Sequence, residues 1–298
     1  MSSYLELTAR QRIQNLFDPG TFEEFLPPSE RVISPHLAQL NVPVSFDDGV
    51  VVGRGLMDGK HVFGAAQEGA FMGGAVGEVH GAKLVGLMRR AIDEQAWAVL
   101  LLLESGGVRL HEANAGLIAV SEVMRAILDA RAAGIPVVAL IGGSNGCFGG
   151  MGIAARCANT ILMSEEGRLA MSGPEVIETA HGVEEFDARD RALVWRTTGG
   201  KHRYLLGDCD ALVRNDMSAF RQAALRAIEG GRNDQAGLTL SGLEAEQDML
   251  ERRLQDFGGL SDPLDVWKTL GIPDPAVVPV LDEEAFVNLA DKHRRGGK

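Results

Sequence analysis

Trp97-Ala98-Val99-Leu100-Leu101-Leu102-Leu103, followed by Glu104-Ser105-Gly106-Gly107, carries the strongest structural statement in the chain. An unbroken apolar run suits a strand covered on both faces, because a half-exposed strand alternates apolar and polar side chains. The run stops at two glycines. The same grammar returns downstream, where Pro136 to Ile141 reads as a second buried strand ending in Gly142-Gly143. Between them, His111 to Ala133 is a long helical pattern closed by Gly134. Buried strands alternating with helices require crossover connections and a layered α/β architecture, with ligands taken up where strands hand over to helices.

On the N-terminal side, Val50-Val51-Val52 and Arg54-Gly55-Leu56 lead through Asp58-Gly59 into His61 to Ala66, a hairpin signature. Phe71-Met72-Gly73-Gly74 follows, and then Val76, Val79, Leu84, Leu87, Met88 and Ile92 line one face of a helix. Ser2 to Phe17 reads as an amphipathic helix stopped by Asp18-Pro19-Gly20, Thr21 to Phe25 as the start of a short element, and 26–47 as irregular. Beyond the second strand, Phe148 to Cys157 is a short helix opened by Gly149-Gly150, with brief strands at Thr160 to Met163 and Arg168 to Met171. Residues 217–256 are helical with charged faces. We expect a core of residues 1–215 including the N-terminal helix, a helical extension of the same domain over 216–290, and a flexible polar tail at 291–298.

Composition narrows the function. A chain of 298 residues with 45% hydrophobic and 23% charged residues suits a soluble globular protein. The net charge of −12 opposes a general affinity for nucleic acid or anionic membrane, and 5% aromatics supply few base-stacking platforms. Cys147, Cys157 and Cys209 form no CxxC pair, which fits reduced thiols better than disulfides or a zinc site. The N-terminus lacks the pattern of a secretory signal, and the longest apolar run, Ala96 to Leu103, is far too short to span a bilayer. These features lead us to expect a cytoplasmic protein with no membrane association and no metal.

The glycine pairs suggest the chemistry. Breaking a carboxyl group from a malonyl-type thioester passes through an enolate whose oxygen gathers negative charge. Two backbone amides in a preorganised frame stabilise such an oxygen efficiently, and an amide at a helix N-terminus gains from the helix dipole. Ser105-Gly106-Gly107-Val108-Arg109 follows one buried strand, and Phe148-Gly149-Gly150-Met151-Gly152 opens the helix after the next. Gly106, Gly107, Gly149 and Gly150 are therefore candidate oxyanion-hole residues.

Several collinear motifs make the match specific: Phe71-Met72-Gly73-Gly74, Glu104 through Glu112, Phe148-Gly149-Gly150, and Ser172-Gly173-Pro174-Glu175-Val176-Ile177-Glu178. With Ala9 to Ile13 and Leu16 to Phe22, they resemble the carboxyltransferase β-subunit family of acyl-CoA carboxylases. Glu184 to Asp190 and Thr197 to Tyr204 look most like the β subunits of biotin-independent malonate decarboxylases within it. The likeness runs from about residue 8 to about residue 215. It implies a crotonase-like (ClpP/crotonase) fold of repeated ββα units, carboxyltransferase type. It also implies a γ subunit of the same fold, with the active site at the subunit interface. The substrate would be a malonyl group on an acyl carrier protein bearing a phosphoribosyl-dephospho-CoA arm, and this chain itself would bind no cofactor. Two departures separate it from acetyl-CoA carboxylase: it has no four-cysteine zinc ribbon before the core, and Gly173-Pro174-Glu175 stands where that family has Gly-Pro-Arg.

Other candidates have two readings each. Arg109 can orient the malonyl carboxylate or pair with Glu112 at a helix start. His202 can protonate the product enolate or sit on a solvated loop. Phe71, Gly73, Gly74, Glu112, Lys201 and Arg203 are candidate substrate-binding residues, and the basic cluster Arg189, Arg191, Arg196, Lys201, His202 and Arg203 can receive a phosphorylated arm or an acidic carrier. Gly142-Gly143-Ser144-Asn145-Gly146 fits the G-x-S-x-G elbow of serine hydrolases, although the helix that should follow at once is delayed. The competing functions are a carboxyltransferase subunit that passes the carboxyl to a biotin protein, and a non-catalytic subunit that docks the carrier.

Overall fold

The computed structural model describes residues 2–39, 48–232 and 238–294. In chain order it contains α1 (Ala9–Leu16), β1 (Glu23–Phe25), α2 (Pro35–Gln39), β2 (Val50–Met57), β3 (Lys60–Gln67), α3 (Glu78–Asp93), β4 (Ala98–Leu102), α4 (Asn114–Ala132), β5 (Val137–Ile141), α5 (Gly149–Arg156), β6 (Thr160–Met163), α6 (Pro174–His181), α7 (Arg191–Thr198), α8 (Gly200–Leu205), β7 (Ala211–Leu212), α9 (Met217–Gly231), α10 (Leu240–Phe257), α11 (Pro263–Thr269) and α12 (Glu283–His293).

The seven strands form one sheet in sequence order. β1, β2 and β3 are antiparallel, and from β3 to β7 every pairing is parallel. Asp58 and Gly59 take positive φ at the tip of the β2–β3 hairpin, the geometry a two-residue turn between twisted strands demands. Every residue of β4 and β5 is buried, as their unbroken apolar runs require. One face carries Val99, Leu101, Val137, Ala139, Ile141, Ile161 and Met163 and packs under α3, α4 and α5. The other carries Ala98, Leu100, Leu102, Val138, Leu140 and Leu162 and packs on Ile13 and Leu16 of α1 and Met217 and Phe220 of α9. Trp267, Val278 and Phe286, from the C-terminal helices, belong to the first of these cores.

Beyond the ends of β3 to β6 the chain makes a second, narrow ladder of single bridges: Val76 with Val108, Ser105 with Cys147, and Cys147 with Leu169. Each long strand thus leads to a short extended segment and then to a helix, which is a ββα repeat. Arg168 to Met171 accordingly is not a full strand but one bridging segment of this ladder. The first helix begins at Ala9 rather than Ser2, because Thr8 and Gln11 close a capping box there. Tyr4 instead packs its ring 4.2 Å from that of Phe220. Around 26–47 the described part contains a 3₁₀ turn at Pro28–Glu30 and the short α2, and 40–47 lie outside the described residues. The expected helix over 217–256 is two helices, α9 and α10, with 233–237 outside the described residues. Asp291 belongs to α12 and accepts from the Tyr204 hydroxyl at 3.1 Å, so the start of the expected tail is ordered. Its end, 295–298, lies outside the described residues.

Candidate active site

Four loop segments, one after each of β3, β4, β5 and β6, lie side by side at the C-terminal edge of the sheet. The Gly106 amide donates to Gly73 O at 2.8 Å, Val76 N to Gly107 O at 2.9 Å, and Arg109 N to Val76 O at 2.9 Å. Phe148 N donates to Ser105 O and Cys147 N to Arg168 O, both at 2.8 Å, and Gly149 N to Met171 O at 2.9 Å. The fold therefore brings Gly73, Gly106, Gly107, Gly149 and Gly150 together, and Gly74 packs against the Glu104 carbonyl. Gly149 has φ of +61°, and a Cβ there would sit 2.9 Å from Gly107 Cα, so the two glycine loops touch backbone to backbone.

Of the four candidate oxyanion donors, the Gly106 and Gly149 amides are committed to carbonyls of the ladder. The Gly107 amide donates to Ser105 Oγ at 3.1 Å, which closes the turn. Gly150 lies in the first turn of α5, where an amide has no carbonyl one turn back. Among the described residues, no carbonyl receives the amide of Gly150 or of Met151. The open donors thus sit at the N-terminus of α5, with Gly107 against its entry.

Glu104 holds this arrangement from beneath. It is 4% exposed, makes an ion pair with Arg12 of α1, and its Oε1 accepts from Asn145 N at 3.0 Å and Ser144 Oγ at 3.2 Å. One carboxylate thereby ties the loop after β4 to the loop after β5 and to the N-terminal helix. Its backbone amide donates to Gln67 Oε1 at 3.0 Å, and the Gln67 amide group then faces His80 Nε2 at 3.1 Å. Burial, with Arg109 and Lys83 nearby, pushes the His80 pKa down to about 3, so the ring is a neutral core residue. Ser144 is exposed and hydrogen-bonded to a carboxylate rather than to a histidine, which removes the base a serine nucleophile needs.

Several side chains fall elsewhere than the sequence suggested. Arg109 is 3% exposed and spends its guanidinium inward: Nε on Ala75 O at 2.9 Å, one terminal nitrogen on Glu112 at 3.2 Å, the other on Asp48 O at 2.5 Å. Glu112 in turn accepts from Glu78 N at 2.6 Å. Of the two readings of this pair, the buried ion pair is the one the fold realises, and neither side chain faces open space. Phe71 lies 5.3 Å from the Arg109 guanidinium and belongs to the same brace. His202 is also buried; its Nδ1 accepts from Trp267 Nε1 at 3.1 Å, which fixes the proton on Nε2. Burial, with Arg203 adding to it, lowers the His202 pKa to about 3, so it carries no spare proton at neutral pH. Lys201 reaches Pro279 O at 3.0 Å, Leu281 O at 2.7 Å and Glu165 at 2.7 Å, tying α8 to the C-terminal helices. Arg196 pairs with Asp262 at 3.1 Å. The basic cluster is therefore largely spent on structure; Arg189 and Arg191 remain at the surface.

Arg203 does line a cavity of about 240 Å³, with Gly152, Ile153, Arg156, Leu169, Ala170, Met171 and Asp208. This cavity flanks α5 and the segment that receives the Gly149 amide. Arg203 bonds Asp208 at 3.0 Å within it. Burial raises the Asp208 pKa, but the guanidiniums of Arg203 and Arg253 outweigh that and hold it below the usual range. Two contributors escaped the sequence reading: Ser105, whose hydroxyl shapes the Gly107 turn, and Arg168, which packs between the rings of Phe148 and Trp195. A serine before two glycines was the available signal for the first, and nothing local signalled the second. Burial lifts the Cys147 thiol to about 12, so this cysteine is inert. Among the described residues there is no cluster of three or more metal-binding side chains, and no helix is long and apolar enough to cross a membrane.

A mixed sheet, parallel from β3 onward, with a ββα repeat and paired glycines at its edge defines a crotonase-fold enzyme of the carboxyltransferase type. Residues 5–225 match the carboxyl transferase domain, and the chain belongs to that family. It is 42% identical to the malonyl-S-ACP:biotin-protein carboxyltransferase MADC of Malonomonas rubra, over 97% of this chain and 96% of that protein. In structure it is similar to a chain of the Pseudomonas malonate decarboxylase hetero-tetramer solved with malonate, with 40% identity, a TM-score of 0.79 and 97% of each chain covered. A chain of the Pseudomonas MdcD–MdcE hetero-dimer matches at 40% identity and a TM-score of 0.67, over 85% of this chain and 97% of that one.

Proposed function

We propose that this chain is the β-type subunit of a malonate decarboxylase, converting malonyl-S-acyl carrier protein into acetyl-S-acyl carrier protein and CO2. The observation that carries the reading is the open first turn of α5, whose Gly150 amide lies beside the Gly107 turn. A thioester carbonyl seated there meets the positive end of the helix, and the interaction strengthens as the carbonyl becomes an enolate. The carboxylate, turned out of the thioester plane in a poorly hydrated pocket, then leaves as CO2. In this reading the amides of Gly150 and Met151 supply the open donors; Gly107, whose own amide is held by Ser105 Oγ, builds the frame with Gly106, Gly149, Gly73 and Gly74, and Arg109 and Glu112 brace it. The enolate's proton comes from a group outside His202.

A second subunit completes the site. Leu110, Ile118, Ile153, Met171 and Val176 are 46–87% exposed around the ladder, an apolar rim of the kind a partner covers. The hetero-oligomeric Pseudomonas enzymes support a partner chain in this role, and we assign it to a crotonase-fold γ-type subunit. The name of the Malonomonas relative supports the carrier protein as substrate, and the phosphoribosyl-dephospho-CoA arm is the part of the proposal that the resemblance alone implies. That name also favours a second reading, in which the carboxyl passes to a biotin protein instead of leaving as CO2.

The test is CO2 release from malonyl-carrier protein by the chain with and without its partner, in avidin-treated buffer. Release that needs the partner and ignores avidin supports the decarboxylase. Release abolished by avidin establishes the biotin-linked reading, and no release under either condition leaves a docking subunit. Gly150→Ala drives a methyl to 2.6 Å from Val120 Cγ1 and displaces the amide. It should lower turnover by about 10²-fold, the usual loss of one oxyanion donor.

A further inference from the structure

α10 is an 18-residue helix with no buried residue. Its apolar side chains are nonetheless ordered: Leu240, Leu243, Gln247, Leu250, Leu254 and Phe257 follow the alternating three- and four-residue spacing of coiled-coil a and d positions. Phe257 packs on the core, whereas Leu240, Leu243, Leu250 and Leu254 are 72%, 54%, 45% and 73% exposed. The helix is held to the body by its neighbouring face, through Arg253 to Asp208 at 2.7 Å and Glu246 to Arg156 at 3.3 Å. The leucine seam is therefore turned aside from the body and left open.

We propose that this seam docks an amphipathic helix of a different chain, leucine-lined and flanked by Lys or Arg, carried by the subunit that closes the active site. The identification of that subunit rests on the function proposed above. Charge selects the partner. Of the residues flanking the seam, Glu246 and Arg253 are spent on the body, which leaves Glu244 and Glu251 as the outer flank. In an antiparallel pair with a second copy Glu244 faces Glu251 along the outer flank, while the Glu246–Arg253 attraction of the other flank is pre-empted by Arg156 and Asp208. A parallel pair sets Glu251 against a Glu246 that Arg156 already neutralises, so neither arrangement gains attraction, and a basic helix is favoured over a second copy. Gln247, at a central a position, is a polar register mark whose Nε2 donates to Glu251 at 3.0 Å. Position agrees: Arg156 and Asp208, which anchor α10, also line the 240 Å³ cavity beside α5, where Ile153 and Met171 of the exposed rim lie. The seam continues the face that a closing subunit covers.

The experiment titrates the full chain with a fluorescent 21-residue helical peptide bearing leucines at a and d and lysines at e and g. Two control peptides replace the leucines by alanine or the lysines by glutamate. Leu243→Asp with Leu250→Asp, both at exposed positions, should weaken binding of the first peptide at least tenfold, and each control peptide should bind at least tenfold more weakly to the wild-type chain. Equal binding by the doubly substituted chain or by the alanine peptide overturns the seam, and self-association of the wild-type chain abolished by L243D/L250D assigns it to a second copy. A parallel assay of subunit assembly and CO2 release separates the two proposals. If the co-expressed subunits assemble through the seam but release no CO2, the reaction fails while the docking stands; if L243D/L250D assembles and turns over like wild type, the docking fails while the reaction stands.

Discussion

At the scale of single residues the site is governed by one buried carboxylate and two neutral imidazoles. Glu104 is the only acid within hydrogen-bonding distance of both Arg12 and the loop after β5 among the described residues. Glu104→Gln leaves the Arg12 guanidinium buried without its counter-charge, and breaking such a pair from one side costs about 3–5 kcal/mol. We expect a loss of that size in urea unfolding of the full chain, against at most about 1 kcal/mol for Ser144→Ala, whose hydroxyl is exposed. Ser144→Ala should leave CO2 release intact, as no nucleophile is lost. The histidines set an acid limit. His80 and His202 have folded pKa values of about 3, below the ordinary value of 6.5, so the unfolded chain binds protons that the folded chain refuses. Their contribution to stability is fully present above pH 6.5 and is lost as the pH falls from there toward about 3. His202→Gln keeps an acceptor for the Trp267 indole and removes the titration. Its unfolding midpoint should fall less steeply than that of the wild-type chain between those limits, and parallel curves would show that the ring titrates normally.

At the scale of elements, two glycines of α3 make opposite predictions. Gly81 is buried where α3 crosses α4, and a Cβ there would lie 2.5 Å from that of Ala119. Gly86 is exposed, has an ordinary φ, and a Cβ there meets nothing within 4 Å. Gly81→Ala should therefore destabilise by about 1–3 kcal/mol through overpacking, while Gly86→Ala should stabilise by about 0.5–1 kcal/mol by restricting the unfolded chain. Thermal melts of the two variants, moving in opposite directions, check the crossing. The same elements show what sequence made legible. β4 and β5 could be read because burial on both faces removes any reason for polar residues, and the β2–β3 turn because Asp58-Gly59 suits positive φ. The bridging ladder could not be read as strands, since each segment contributes one bridge and one residue sets no period. Arg109, Lys201 and His202 were picked out by charge and position in the chain. Direction decides whether a charge meets substrate or backbone, and it arises only in packing: Ala75, Asp48 and Glu112 draw Arg109 inward, and Trp267 with the C-terminal helices does the same for α8.

At the scale of the molecule, the glycine ladder ends in an edge that the described residues leave uncovered. The contrast lies in one place: Glu104 with Arg12 and Glu112 with Arg109 are turned inward and paired, while the rim presents Leu110 at 87% exposure and Met171 at 72%. An isolated chain gains nothing from such an arrangement, because it leaves apolar surface in water beside a site that works better dry. A partner that covers the rim gains both the buried area and the exclusion of water, which makes assembly and catalysis the same event. Leu110→Asp and Met171→Asp should then leave the chain's own unfolding unchanged to within about 0.5 kcal/mol, as exposed positions do. Each should weaken assembly with the partner subunit by at least about tenfold, equivalent to about 1.4 kcal/mol at a contact near the centre of an interface. Sedimentation of the co-expressed subunits measures the assembly, and CO2 release at saturating partner measures what remains of the chemistry. Full turnover regained at high partner concentration would place the rim in docking alone. Turnover that stays low after assembly is restored would show that the rim also shields the enolate from water.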